Sequence, residues 1–278
     1  LSITGPSQTK NKSLSNLAVL FFGICFFAPL LWILAASFDA SPTFLVKLPK
    51  KLSLMNIKNI LTFNITYRPI LVSCFLAFTC GVVVIVTATL AAYPISRYKI
   101  KATRDFLYAI LFGSCLPATE IMVLVYCMFA HFNLIDLLPA PALFMASTSL
   151  PIAIWMMKDF IDGIPNRLEE ADRVDGASFL KTLRLIIVSV MRPGIAVVFI
   201  FVFIQAWGNF FVPFILLHAE NRMTAAESIY NIFGDHGSAS YGELAACSLI
   251  FLLPVLRLFL SMNKSLGGAS ILGRVIKG

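Results

Sequence analysis

Lys158 to Arg192 reads KDFIDGIPNRLEEADRVDGASFLKTLRLIIVSVMR, and the reading of this segment decides the fold. It sets Lys158, Arg167, Arg173, Lys181, Arg184 and Arg192 against Asp159, Asp162, Glu169, Glu170, Asp172 and Asp175. Charges at this density do not lie in hydrocarbon, where each costs about 2.5–3.5 kcal/mol at the centre of a helix. They also balance, so the segment is not a basic lipid-binding run. Yet it sits between long apolar blocks, in a 278-residue chain that is 59% hydrophobic and 13% charged. A mean hydropathy of +0.86 lies outside the range of a water-soluble domain, so this is a polar segment between membrane spans.

Outward from that segment, apolar runs of about 20 residues are each long enough to cross a ~30 Å core as a helix. A backbone in lipid must satisfy its own hydrogen bonds, so runs this apolar are expected as helices and not as barrel strands. The spans are read as Leu17–Phe38, Ile70–Tyr93, Phe106–Ala130 (interrupted by Pro117), Ala142–Met157, Pro193–Leu217 and Leu244–Met262. The expected fold is therefore an all-α integral membrane protein of six transmembrane helices. A polar, mobile tail over 1–16 precedes the membrane domain 17–262, and a Gly-rich tail over 263–278 follows it. No cleavable signal is expected, because the first apolar run is too long and follows a polar tail.

Even spans put both termini on one side, and basic residues say which. With the N-terminus inside, the inner segments hold Lys10 and Lys12, then Arg97, Lys99, Lys101 and Arg104, then the six of the charged loop. Arg257, Lys264, Arg274 and Lys277 complete the inner set, leaving Lys47, Lys50, Lys51, Lys58, Arg68 and Arg222 outside. The bias favours cytoplasmic termini. The net charge of +8 is ordinary for such a protein and is no argument for nucleic acid. All six cysteines fall within apolar runs, which excludes a disulfide framework or a metal site as their reading.

Within the charged loop, Asp162-Gly163-Ile164-Pro165 has the form of a helix stop followed by a restart. A helix through Leu168, Glu169, Glu170, Ala171 and Val174 would break at Gly176-Ala177-Ser178, with Ser178 capping a second helix from Phe179. Two short helices around a small-residue turn make a knob able to enter a groove on another protein; an ordinary solvated loop is the plainer alternative. Glu170-Ala171-Asp172-x-x-x-Gly176, then nine residues to Ile186-x-Val188-Ser189, resembles the EAA loop of ABC-importer permeases, E-A-A-x-x-x-G-x₉-I-x-L-P. Asp172, Val188 and Ser189 depart from that pattern. Ala91-Ala92-Tyr93-Pro94-Ile95-Ser96-Arg97-Tyr98, Leu116-Pro117 and Phe132-Asn133-Leu134-Ile135-Asp136 are similar to further stretches of the same family. Ala206-Trp207-Gly208-Asn209-Phe210-Phe211-Val212-Pro213 is similar to the Trp-Asn-x-x-x-x-Pro stretch of sugar permeases, and Gly273–Gly278 looks like the tail of maltose-type ones.

The resemblance implies a type I ABC-importer permease fold and a sugar or oligosaccharide importer in the bacterial inner membrane. Glu170, Ala171, Gly176, Ala177, Ser178 and Phe179 would then form the coupling helix seated on an ATPase subunit, with Arg274 and Lys277 of the tail reaching the ATPase pair. The implied partners are a second permease, two ATP-binding cassette subunits and an extracytoplasmic sugar-binding protein, which would meet the loop His218–Gly242. ATP and magnesium would belong to the ATPase subunits; this sequence has no G-x-x-x-x-G-K-[ST] loop of its own.

No catalytic or metal constellation is read, since His131, His218 and His236 lie apart in predicted loops. Glu120, an acid within a span, either lines the pathway or sits near an interface. Gln205 and Asn209, four residues apart with Trp207 between them, suit a sugar's hydroxyls and ring face; interhelical hydrogen bonding explains the two amides equally well. A self-contained secondary transporter would need internal repeats and paired intramembrane charges, and neither is seen. Glycerol phosphate or a uronate oligosaccharide as cargo would call for cations in the pathway, and none is read within the spans.

Overall fold

The computed structural model describes residues 6–41, 49, 51–98, 101–115, 117–169, 179–234 and 240–265. Its helices, in chain order, are α1 (Pro6–Ser37), α2 (Met55–Ile60), α3 (Arg68–Arg97), α4 (Thr103–Gly113) and α5 (Ala118–His131). Then come α6 (Pro139–Asp162), helical turns over Phe179–Val190, α7 (Arg192–Trp207), α8 (Phe211–Leu216), α9 (Ala225–Gly234) and α10 (Tyr241–Ser265). Among the described residues the extended structure is confined to an isolated bridge between Asp39 and Leu52. The segments Val19–Ser37, Phe63–Arg97, Pro139–Asp162 and Tyr241–Lys264 are long and apolar enough to cross a membrane, and a bent pair, Leu183–Val190 with Arg192–Trp207, makes another candidate.

The chain forms two compact units, one from residues 1–65 and 229–252, the other from 66–228 and 253–278. In the first, Asn56 Nδ2 donates to Ser37 O (3.2 Å) and Asp39 O (2.8 Å), which ties the end of α1 to α2. Ile60 packs on Ala246 and Cys247, and Asn59 Nδ2 donates to Glu243 Oε1 at 2.8 Å.

The second unit is organised by α3, α6 and α7. Ala77, Cys80, Val84, Ala88 and Ala92 of α3 recur every three or four residues and are buried. That small-residue stripe admits close neighbours, as between helices in lipid. Ala142, Ala146 and Ala153 of α6 and Val198, Val202 and Ala206 of α7 are buried too. The other face of α3, with Leu71, Phe75, Phe78, Val82, Val86 and Leu90, is exposed and apolar, as hydrocarbon requires.

Several boundaries differ from those read in the sequence, and each has a local cause. The N-terminal tail is already helical from Pro6. The third span is two helices, α4 and α5, because Pro117 is extended (ψ 130°) and cannot donate a hydrogen bond to the turn before it. At 1.5 Å per residue they are about 17 and 21 Å long, so neither alone crosses the hydrocarbon. The helix entering the fifth span bends by 74° around Met191, where Pro193 breaks the ladder, and it stops at Trp207 instead of Leu217. Within the loop 218–242, Thr224-x-x-Glu227 forms a capping box that starts α9: Thr224 N donates to Glu227 Oε2 at 2.9 Å, and Glu227 N donates back to Thr224 Oγ1 at 3.4 Å. Most consequential are two helices longer than their apolar runs. α3 continues through Pro94 to Arg97, and α6 continues past Met157 to Asp162.

Candidate functional site

The two extra turns meet. Ser96 Oγ, at the end of α3, donates to Asp162 Oδ1 at the end of α6. Lys158 Nζ, one turn back on α6, donates to Asp162 Oδ2 at 2.5 Å. Beside them Arg97 Nε donates to Glu169 Oε1 at 2.5 Å, and Arg97 Nη2 donates to Ile161 O and Ile164 O, both at 3.0 Å. Tyr93 Oη donates to the other oxygen of Glu169 at 2.7 Å. The side chains of Arg97 and Glu169 are 8% and 4% exposed, so this ion pair is buried, unlike the partly open Lys158–Asp162 pair.

Glu169 therefore anchors the base of the charged loop to the span ends. α6 stops at Asp162, and the chain is helical again over 167–169, with Glu169 N donating to Asn166 O at 2.9 Å. Neither Glu169 nor Arg97 stood among the site residues expected from sequence. A motif-based reading passes over the residue just before the matched Glu170, and Arg97 counts there as one more basic residue of a turn. Glu170, Ala171, Gly176, Ala177, Ser178, Arg274 and Lys277 lie outside the described residues. Phe179 opens the helical turns that lead to Val190.

A second polar place lies between α6 and α7. Thr148 and Ser149 of α6 line a pocket of about 210 Å³ with Gln205 and Asn209, closed by Met145, Ile152, Phe201 and Ala206. None of these residues carries a charge. Thr148 and Ser149 hydroxyls donate to Met145 O within their own helix, at 3.0 and 2.9 Å. The four-residue spacing predicts Gln205 and Asn209 on one helical face, but α7 ends at Trp207 and Asn209 stands beyond it, where its Oδ1 accepts from Val212 N at 3.0 Å. Trp207 does not join this pocket: it is buried and stacks on Phe203 with ring centroids 5.9 Å apart. Glu120 does not join it either; it is exposed in the first turn of α5, where the positive end of the helix dipole suits a carboxylate. The expectation that no cation lies within the spans also needs correction. Charge distribution groups Arg257 with the inner end of the chain, but it lies inside α10 and lines an apolar pocket of about 700 Å³ with Phe75, Phe78 and Phe203.

At the far end of α6, Asp136 accepts two backbone amides through Oδ1, from His218 (2.6 Å) and Ala219 (2.9 Å). These amides hold its carboxyl below the usual range, and its own amide donates to Leu216 O at 2.9 Å. Asp136 has φ +63°, a conformation that Asp tolerates better than most residues. Close by in sequence, Ala225 N donates to Ser73 Oγ at 2.9 Å, pinning the start of α9 to α3. Burial pushes the Glu227 carboxyl up, against the Thr224 amide and hydroxyl that favour its ionised form. Asp136→Ala removes both contacts to the 218–219 segment. Its expected cost is about 1.5 kcal/mol, the low end for a bond to a charged group because the site is half open to water. The thermal midpoint of the purified protein in detergent reads this directly, and Asp136→Asn, which keeps an acceptor, should lose less.

These features define a polytopic helical membrane protein whose polar loop is gripped by the ends of its spans. Residues 84–265 match the family described as binding-protein-dependent transport system inner membrane component, and the chain belongs to that family. It is 27% identical over 228 residues to a putative ABC transporter permease protein of Streptomyces antibioticus, covering 82% of this chain and 99% of that one. To the trehalose/maltose transport system permease of Thermococcus litoralis it is 26% identical over 251 residues, covering 89% and 90% of the two chains. To a diacetylchitobiose uptake system permease of Streptomyces coelicolor it is 23% identical over 274 residues, covering 95% and 88%. A chain in the crystal structure of a bacterial ABC transporter involved in import of the acidic polysaccharide alginate superposes with a TM-score of 0.79 at 17% identity, over 95% of this chain and 99% of that one. The type I permease fold expected from the motifs is thus the fold found.

Proposed function

We propose that this chain is the translocating subunit of an ABC importer for a sugar or oligosaccharide, working by alternating access and powered by separate ATPase subunits. Its partners in this reading are a second permease, two ATP-binding cassette subunits carrying ATP and magnesium, and an extracytoplasmic sugar-binding protein. Both termini and the loop 158–192 lie on the cytoplasmic side of the bacterial inner membrane, as the distribution of basic residues favours. Family membership supports the importer, and the sugar named for relatives such as the trehalose/maltose permease supports the cargo class.

The observation that carries the choice of cargo is the uncharged pocket of Thr148, Ser149, Gln205 and Asn209. Amides and hydroxyls exchange hydrogen bonds with sugar hydroxyls without the desolvation cost of a charge. Its volume of about 210 Å³ has room for roughly one ring, below the 300–1,000 Å³ of a typical whole ligand site. The second permease would complete the pathway.

Isolation of the complex from detergent-solubilised native membrane, with its companions identified by mass, tests the assembly. A second permease and an ATPase subunit are expected. Recovery of this chain alone, active in vesicles without ATP, would overturn the reading in favour of an ion-coupled secondary transporter. Gly176→Trp tests the loop: the complex should remain in the membrane while transport-coupled ATP hydrolysis is lost. Normal stimulation of hydrolysis in that variant would sink the assignment of Gly176 to the coupling helix.

A further inference from the structure

Three elements meet at one side chain. Arg97 is the last residue of α3, two of its bonds go to the carbonyls of Ile161 and Ile164 at the end of α6, and its Nε holds Glu169 of the loop. A guanidinium presents several donors in one rigid plane, so a three-way junction built on it has fixed angles. Tyr93, one turn earlier on α3, occupies the other oxygen of Glu169, so α3 holds both ends of that carboxylate. Water has little access to compete, since Arg97 and Glu169 are almost wholly buried.

The covalent path from α6 to Glu169 leaves regular helix, although Ile164 on it is buried and its amide donates to Ile161 O at 2.9 Å. It runs through Gly163, Ile164 and Pro165, where the helix has ended and the next has not begun. The neighbouring Ser96–Asp162–Lys158 bonds tie α3 to α6 but do not reach the loop. Arg97 and Tyr93 are thus polar links from the base of the loop to α3. Glu169 directly precedes the loop residues assigned above to the ATPase contact.

We propose that Arg97 is a positioning residue for transport. Its guanidinium joins the base of the loop to the ends of α3 and α6, so that a displacement of the loop moves both helices together instead of being absorbed by bending at Gly163–Pro165. The inference rests on the reading of the loop as the element that contacts the ATPase.

The test is Arg97→Lys in the complete complex reconstituted into vesicles. Lysine keeps the charge, and its ammonium can still reach Glu169, but one point charge cannot also hold two backbone carbonyls in the plane of a fork. The complex should assemble to near wild-type amounts. Import per complex should fall by about tenfold or more, inside the 5–150-fold range typical of coupling between distant sites. ATP hydrolysis should cease to respond to substrate-loaded binding protein. Glu169→Gln, which keeps shape and an acceptor for Arg97 but neither the charge nor the second acceptor oxygen, should lose import to a smaller degree in the same direction. Wild-type import and stimulation per complex in Arg97→Lys would overturn the proposal. So would a loss of assembled complex in which the remainder stays fully coupled, because that is a purely structural role. A wild-type complex whose hydrolysis never responds to binding protein would instead remove the coupling reading on which the proposal stands.

Discussion

Arg97→Leu should lower the stability of the protein by about 3–5 kcal/mol, the cost of stranding one member of a buried ion pair. The side chain left behind is Glu169, 4% exposed, which would lose the guanidinium that its Oε1 accepts from. The carbonyls of Ile161 and Ile164 lose their donor in the same step. The expected reading is a large drop in the thermal midpoint of the detergent-solubilised protein, followed by size-exclusion chromatography of heated samples. Replacing the whole cluster, with Arg97→Leu, Glu169→Leu and Tyr93→Phe together, should recover most of the loss, because an apolar core of similar volume is about as stable as a buried pair. A single variant with an unchanged midpoint would mean that water reaches Glu169 and that the pair is not buried in the working protein. This stability effect is separate from the coupling defect expected of Arg97→Lys, where charge is kept and geometry is lost.

Gly81→Leu should be similarly damaging, for a packing reason. A Cβ at Gly81 would lie 2.6 Å from one ring carbon of Phe199 and 2.9 Å from another, closer than real side chains approach. Phe199 is half-buried and has ring neighbours on two sides, which limit how far it can turn away. It meets Phe78 edge-on at 5.7 Å and Phe203 at 6.1 Å, and Phe203 in turn stacks on Trp207. Overpacking of this kind costs about 1–3 kcal/mol and more where backbones must part, so a value near or above 3 kcal/mol is expected. Phe199→Ala in the same chain should restore much of the loss by removing the ring that clashes. Gly113→Leu is the comparison, since a Cβ there has nothing within 4 Å. Equal midpoints for Gly81→Leu and Gly113→Leu would show that α3 and α7 do not approach as closely as described.

The spans that cross hydrocarbon were legible because lipid imposes one requirement on every residue that faces it. Continuous apolarity over about 20 residues marks the runs centred in α1, α3, α6 and α10 without any knowledge of their neighbours. Pro117 was visible as an interruption, although not as a full break into α4 and α5. The capping box of Thr224 and Glu227 is a local signal inside a long polar stretch, and it marks a helix start only once both side chains close on the backbone amides. The family could be read from Glu170, Gly176 and Trp207 as letters in a spacing. The surroundings of those side chains could not: Trp207 and Asn209, two residues apart, face a buried aromatic stack and a polar pocket respectively.

By itself, the sequence determined the helical class, the approximate spans, the polar loop between them and the family. Hydropathy and motif spacing are properties of a residue and its near neighbours in the chain. It did not determine where the helices end. Tyr93 and Met157 close the apolar runs, but α3 and α6 each continue for about one more turn. Those turns are polar, and they are stable as helix because Ser96 and Arg97 find Asp162, Ile161, Ile164 and Glu169, residues 64 to 72 positions away. Glu169 carries the same charge as Glu170 and Asp172 in the sequence. Only the tertiary structure gives it a buried guanidinium and a phenol, because the energy that distinguishes a buried carboxylate from a solvated one lies in the groups brought to it and in the water kept away.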